Sequence, residues 1–269
     1  MRELSDRVAV ITGAAGGIGR SLSELLAREG CHLALVDIDE AGLKATVELL
    51  HSARNVSMHV TDVGNWSEMK HLTEAVVSRH RGVHLLVNNA GASLSGPFES
   101  YGIEDIDWIV RVNFLATVYG CRLFLPHLRA RQEAHIVNVS SLFGLIGCPT
   151  KTVYCAAKFA VRGFSDALRA ELSGSKIGVT CVYPGAVRTG LVRNSRGTDP
   201  RKREIEAEFL DRRGISPQSA AKRILRGIQG NARCVRIGRD VYAADILSRA
   251  FPGLTSALVA RLRKRVPFF

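Results

Sequence analysis

Apolar runs of strand length alternate along this chain with stretches of helical periodicity, and that order restricts the fold more than any other feature. The runs are Val8 to Thr12, His32 to Val36, Val56 to His59, Leu85 to Asn88, His135 to Val139 and Val179 to Val182, with a seventh candidate at Cys234 to Ile237. Their Val, Ile and Leu content suits strands covered on both faces. Between them lie helical segments: Ile18 to Arg28, Ala41 to Leu50, Glu68 to Arg79, Ile103 to Leu128 and Thr152 to Leu172. Strand, helix and strand in succession build βαβ units around a parallel sheet. The expected fold class is therefore α/β, a doubly wound parallel sheet of about seven strands forming a single domain over residues 1–269.

Two segments break the rhythm. Pro126 falls near the end of the fourth helical stretch, where a helix should stop or bend. From Gly190 to Gly214 the pattern dissolves into charged residues, read as a mobile insertion with one short helix. Residues 190–215, after the last inner strand, are thus a candidate substrate lid.

The formal charge of +12 is unevenly spread. Residues 193–269 hold 18 Lys and Arg against 7 Asp and Glu, whereas residues 1–192 are almost balanced at 19 against 18. A basic field of this kind can meet an anionic substrate, a membrane surface or nucleic acid, or be no more than a solvated face. It lacks aromatic interleaving and a helix-turn-helix, so no nucleic-acid partner is expected. The six cysteines are scattered without zinc-like spacing, and no metal is expected. No cleavable leader and no apolar run of about 18 residues is read, which makes the cytoplasm the expected location.

Thr12-Gly13-Ala14-Ala15-Gly16-Gly17-Ile18-Gly19 joins the first strand to the first helix. A strand, a glycine-rich turn and a helix N-terminus present backbone N–H groups to a pyrophosphate. Gly13 permits the tight turn, Gly17 the approach of the ligand and Gly19 close packing of helix on sheet. The second strand ends at Asp37, where a carboxylate can bond ribose hydroxyls and repel a 2′-phosphate; NAD is the expected cofactor.

The T-G-x-x-x-G-x-G spacing resembles that of the classical short-chain dehydrogenase/reductase family. The resemblance extends to Asp62-Val63, which by analogy holds the adenine ring, and to Asn89-Ala90-Gly91 beneath the dinucleotide. After the sixth strand, Pro184-Gly185-Ala186-Val187-Arg188-Thr189 matches the family segment that holds the nicotinamide amide, with Pro184, Gly185, Val187 and Thr189 in the matching places. The likeness runs from Val8 to about Leu191.

Tyr154 and Lys158 lie four apart on one helical face. A phenol is a poor base at neutral pH, and a nearby ammonium stabilises its phenolate. Ser141 and Ser140 compete for a hydroxyl role beyond the fifth strand; the family's 13-residue spacing from serine to tyrosine selects Ser141. By the same resemblance, Asn113 distorts its helix and holds a water in a proton path behind Lys158. The quartet Asn113, Ser141, Tyr154 and Lys158 implies an NAD-dependent enzyme that interconverts an alcohol and a carbonyl compound. Tyr154 is the acid/base, and Tyr154 and Lys158 also touch the cofactor. The rival reading is an NAD-sensing regulator or scaffold without catalysis, for which the full quartet would be superfluous.

Substrate walls are expected from Ser93 to Phe98, Leu142 to Thr150 and the segment after Thr189. Leu94, Phe98, Leu142, Phe143, Leu145 and Ile146 suggest a lipophilic secondary alcohol or ketone, while Arg188, Arg193, Arg196 and the 201–203 run could hold an anionic tail. In residues 254–269, Leu254, Leu258 and Leu262 recur every four residues ahead of Arg263, Lys264, Arg265 and Phe268-Phe269. Such a basic amphipathic helix packs on a second subunit or lies on a membrane. A homo-oligomer, dimer or tetramer, is the favoured expectation, with peripheral membrane contact as the alternative.

Overall fold

The computed structural model describes residues 1–53, 55–197 and 199–262. Numbered along the chain, the large sheet comprises β1 (Val8–Thr12), β2 (His32–Asp37), β3 (Val56–Val60), β4 (Leu85–Asn88), β5 (Ala134–Val139), β6 (Ile177–Pro184) and β7 (Cys234–Ile237). All pairings are parallel, and the spatial order is β3-β2-β1-β4-β5-β6-β7. The seven expected strands are all present, with only their ends moved by a few residues. The order reverses between β1 and β4, so the crevice at the carboxyl ends of these strands is the place for a ligand.

Every residue of β1, β4 and β5 is buried, because helices cover both faces of the sheet. On one face α1 (Gly17–Arg28) and α8 (Pro217–Gln229) pack Leu22, Leu26, Ile224 and Ile228 onto Ala9, Ile11, Leu33 and Leu85. On the other, α3 (Trp66–His80), α5 (Ala116–Arg129) and α6 (Thr152–Glu171) bring Met69, Val76, Phe124, Leu128 and Leu168 onto Val8, Val10, Leu86 and Ile136. The alternation of Val8 and Val10 with Ala9 and Ile11 between the two clusters is the strand period of two. α2 (Glu40–Glu48) follows β2, with Asp39 accepting a hydrogen bond from the Gly42 amide as its N-cap.

Three sequence expectations bear on residues 103–129. As the resemblance implies for Asn113, the stretch from Ile103 is distorted there: α4 (Ile103–Val110) passes into a π-helical turn, Arg111–Leu115, before α5. α5 ends at Arg129, three residues beyond Pro126 and one beyond the expected Leu128; a proline there removes a single N–H near the helix end. Residues 103–129 are also long and apolar enough to cross a membrane by length and composition, contrary to the reading that no such run exists; here they supply Phe124, Cys121 and Leu128 to the sheet's helical cover.

The segment after Thr189 contains a full helix rather than a short one. Arg196–Gly197 pairs with Leu94–Ser95, and α7 spans Pro200–Arg213. Asp199 caps α7 by accepting from the Arg201 and Lys202 amides, with Pro200 at the first helical position. At the C-terminus α9 (Arg239–Ala250) is followed by α10 (Pro252–Leu262), on which Leu254 and Leu258 are exposed. Arg263 to Phe269, expected as the basic end of an amphipathic helix, lie outside the described residues.

Candidate active site

A cleft of about 990 Å³ opens at the carboxyl edge of the sheet, where the reversal of strand order places it. Gly13 (φ 68°) and Gly17 (φ 53°) adopt the left-handed conformation in the β1–α1 turn. A Cβ on Gly19 would stand 2.0 Å from the Gly13 carbonyl oxygen, so the turn closes against the helix only because that position lacks one. Gly13, Gly17 and Ile18 line the cleft.

Thr12, not among the expected site residues, fixes this turn. Its hydroxyl accepts the Asn89 and Ala90 amides, both at 3.0 Å, and donates to the Val87 carbonyl at 3.3 Å. The Asn89 side-chain amide donates to the carbonyls of Thr12 (2.9 Å) and Gly13 (3.2 Å). The ends of β1 and β4 are thereby joined, which brings Asn89, Ala90 and Gly91 to the cleft.

Asp37 lies at the end of β2 and faces the same cleft. One carboxylate oxygen accepts the Ala15 amide at 2.9 Å; the other accepts those of Ile38 (2.8 Å) and Asp39 (3.1 Å). Arg20, one turn into α1, is the cation nearest the glycine turn that the sequence reading passed over. Its guanidinium donates to the carbonyls of Ala15 and Gly42 and to Thr46 Oγ1, so its donors are directed at the protein. Asp62 and Val63 line the cleft beyond β3, with Asp62 accepting the Gly64 amide at 2.8 Å. Pro184, Gly185, Val187 and Thr189 border it from β6, and Thr189 approaches the turn closely enough that a Cβ on Gly17 would meet its Cγ2 at 3.0 Å.

The four residues expected to carry the chemistry converge. Tyr154 and Lys158 line the cleft from α6, buried to 6% and 4% exposure. Ser141 is hydrogen-bonded to the Tyr154 phenol and accepts the Phe143 amide at 3.1 Å. Ser140 also lines the cleft, but its hydroxyl donates to the Lys158 carbonyl at 2.8 Å. Asn113 sits in the π turn, its amide donating to the carbonyls of Ala92 (3.0 Å) and Ile109 (3.1 Å) while its oxygen accepts the Ala92 amide at 3.3 Å. A Cβ on Gly91 would meet Asn113 Oδ1 at 2.9 Å and Lys158 Nζ at 3.3 Å, which places all three around one point.

Electrostatics differ from the sequence expectation. Burial pushes the Tyr154 phenol up to about 12, opposed by the hydrogen bond from Ser141. The Lys158 ammonium is 5.9 Å from the Tyr154 ring centroid and donates instead to the Val139 carbonyl at 3.1 Å. Burial lowers Lys158 to about 8. Ser141, more than Lys158, holds the phenol's proton affinity down in this arrangement, and Tyr154 is protonated at neutral pH.

The far half of the cleft carries an apolar wall, whose residues are not all those expected. Leu142, Phe143 and Ile146 line it, with Phe143 edge-on to the Tyr154 ring at 6.4 Å. Leu94 and Leu145 are instead buried in the core and Phe98 faces solvent. Trp108, Phe209, Leu210 and Val259 complete the wall. Two of the arginines considered for an anionic tail are spent on protein acids: Arg193 pairs with Glu204 and Asp211, and Arg196 pairs with Asp105 while stacking over Trp108 at 4.1 Å.

Residues 7–200 match the family model described as short chain dehydrogenase. The putative oxidoreductase SadH of Mycobacterium tuberculosis is 41% identical over 266 residues, covering 97% of this chain and 96% of that protein. The probable oxidoreductase EphD of Mycobacterium bovis is 32% identical over 268 residues, 96% of this chain but 45% of the longer relative. The crystal structure of a short chain dehydrogenase/reductase from Burkholderia phymatum in complex with NAD superposes with a TM-score of 0.86 at 29% identity, covering 94% of this chain and 96% of that one. The chain belongs to the classical short-chain dehydrogenase/reductase family of oxidoreductases.

Proposed function

We propose that this protein is an NAD-dependent enzyme that interconverts a lipophilic secondary alcohol and its ketone, with Tyr154 as general acid/base. The observation that carries the reading is the convergence of Tyr154, Lys158 and Asn113 on the cleft that the glycine turn also borders, with Ser141 beside the Tyr154 phenol. The residues fit a dinucleotide. The cradle at Gly13, Gly17 and Gly19 is one that Cβ atoms would fill, and the Asp37 carboxylate at the next strand end suits unphosphorylated ribose hydroxyls. Among the described residues that line the cleft near Asp37 there is no Lys or Arg, and the Arg20 guanidinium turns donors to the Ala15 and Gly42 carbonyls and to Thr46.

Asn89, Ala90 and Gly91 would lie beneath such a cofactor, Asp62 and Val63 beside its adenine, and Pro184, Gly185, Val187 and Thr189 along its nicotinamide end. When bound, NAD supplies the site with hydride acceptance from an alcohol carbon, and its reduced form with hydride donation to a carbonyl. The protein's own part is proton movement and orientation. Ser141 donates a hydrogen bond to the substrate oxygen, and Tyr154, protonated at neutral pH, delivers its proton to that oxygen in reduction and recovers it in oxidation. The buried Lys158 lies behind the phenol, where its charge favours the phenolate that proton delivery leaves. Asn113 fixes Ala92 and the π turn, holding the β4 end against α6.

The apolar wall of Leu142, Phe143, Ile146, Leu210 and Val259 supports a lipophilic substrate, and the committed Arg193 and Arg196 argue against an anionic tail. A screen of secondary alcohols with NAD, and of ketones with NADH, read by absorbance of the reduced nicotinamide, tests the reaction. Tyr154→Phe should bind NADH as the wild type does and lose turnover of every substrate found; undiminished turnover in that variant would overturn the assignment.

A further inference from the structure

Lys151 immediately precedes α6, three residues before Tyr154, and is only 2% exposed. Its ammonium donates to Ser95 Oγ at 2.6 Å and Ser93 Oγ at 3.4 Å, and it pairs with both Glu206 carboxylate oxygens at 2.9 and 3.0 Å. Glu206, 7% exposed, belongs to α7, a helix that otherwise stands open to solvent: of its 14 residues only Glu206 and Ala207 are buried. Lys151, Glu206, Phe209 and Leu210 all line the substrate half of the cleft. The pair thus joins the outermost wall of the chamber to the segment that carries the tyrosine.

The backbone beside Lys151 is also unusual. Thr150 has φ 62°, a left-handed conformation that is strained for a β-branched residue. It is held by its carbonyl, which accepts the Gly96 amide at 2.9 Å and the Tyr101 hydroxyl at 2.7 Å. This fixed turn delivers the Lys151 side chain into the chamber wall, where an unpaired ammonium would be strongly disfavoured.

A buried ion pair is a poor adhesive, since removing both charges from water offsets most of what their attraction returns. It differs from an apolar contact in its response to opening. Closed, each charge has its partner; fully open, each is hydrated; half-open, a charge is stranded without either. The pair therefore favours two arrangements of the helix and disfavours those between them.

We propose that Lys151 and Glu206 form a latch that sets α7 over the substrate chamber. They are positioning residues, acting on how the chamber closes rather than on the proton transfer at Tyr154. The latch rests on the assignment of this cleft as the substrate site.

Hydrogen–deuterium exchange of the full chain, with and without NADH, tests it. In Glu206→Ala and Lys151→Met, amides of 199–214 should exchange about tenfold faster or more while those of β4 and β5 keep their protection. Glu206→Gln, which preserves shape, should show the same pattern to a smaller degree. Lys151→Met/Glu206→Leu, which replaces the pair by an apolar contact, should recover protection. Unchanged exchange over 199–214 in the single variants overturns the latch, as does a loss spread equally over β4 and β5, or no recovery in the double variant. A wild-type chain that fails to bind NADH refutes the functional reading instead, and the exchange comparison without NADH still decides the latch.

Discussion

Asp37→Ala separates two tasks that one carboxylate performs. Asp37 accepts three backbone N–H groups, but they are not equivalent. The Ile38 and Asp39 amides are exposed, and water can replace the carboxylate there at little cost. The Ala15 amide belongs to the glycine turn, and Ala15 is only 8% exposed, so its lost bond is poorly replaced. A hydrogen bond to a charged acceptor contributes about 1.5–3 kcal/mol. If the turn must be formed to bind the dinucleotide, NADH affinity should fall by about 10- to 100-fold. NADPH should lose less, because the same substitution removes repulsion between the carboxylate and a 2′-phosphate, and the preference for NADH narrows. Asp37→Asn, which can keep one carbonyl oxygen on the Ala15 amide, should fall between. Trp108 borders the cleft, so quenching of its emission on titration with NADH and NADPH reads both affinities. A wild-type preference for NADPH, or an NADH affinity in Asp37→Ala within twofold of wild type, would refute the reasoning.

Three further outcomes follow from the same geometry. Gly19→Ala should abolish NADH binding and lower the unfolding midpoint, because its Cβ would stand 2.0 Å from the Gly13 carbonyl oxygen; titration and thermal denaturation check this, and an intact site would contradict it. The hydrogen bond with Ser141 holds the buried Tyr154 phenol below a still higher value, so Ser141→Ala should lower turnover and move the rise of oxidation rate with pH, which tracks formation of the phenolate, to higher pH; a rise that stays in place would show that another group sets it. His135 is fully buried, and burial lowers its imidazolium to about 3. Between pH 6.5 and about 3 the unfolded chain binds a proton that the folded chain refuses, so its contribution is intact above pH 6.5 and is lost as pH falls. Relative to His135→Asn, wild-type stability in urea should decline by about 1.4 kcal/mol per pH unit at most across that window, and parallel curves would exclude His135 as the cause.

What the sequence discloses here, and what it withholds, has a physical pattern. β1, β4 and β5 are apolar in every register because both faces of the sheet are covered, and a continuous Val, Ile and Leu run bounded by turn residues is legible without the structure. The glycine turn was equally legible, because its backbone conformations and close approaches exclude side chains at fixed spacing. The π turn at Arg111–Leu115 was legible only through the resemblance that implies a distortion at Asn113: one extra residue in a helical turn hardly disturbs an apolar pattern that is continuous on either side. The full 14-residue length of α7, expected only as a short helix, was not legible for the opposite reason. A helix that buries only Glu206 and Ala207 has no apolar stripe to announce it, and its sequence resembles a solvated loop. Tertiary burial is the least legible quantity of all. It raises Tyr154 to about 12, lowers Lys158 to about 8 and encloses Lys151, a residue that spacing alone would assign to the surface. The spacing of Ser141, Tyr154 and Lys158 thus points to which groups meet, but whether the phenol begins as acid or base depends on the helices and turns that exclude water from it. That is why the tyrosine's proton affinity follows from the fold, while the tyrosine itself could be picked from the chain.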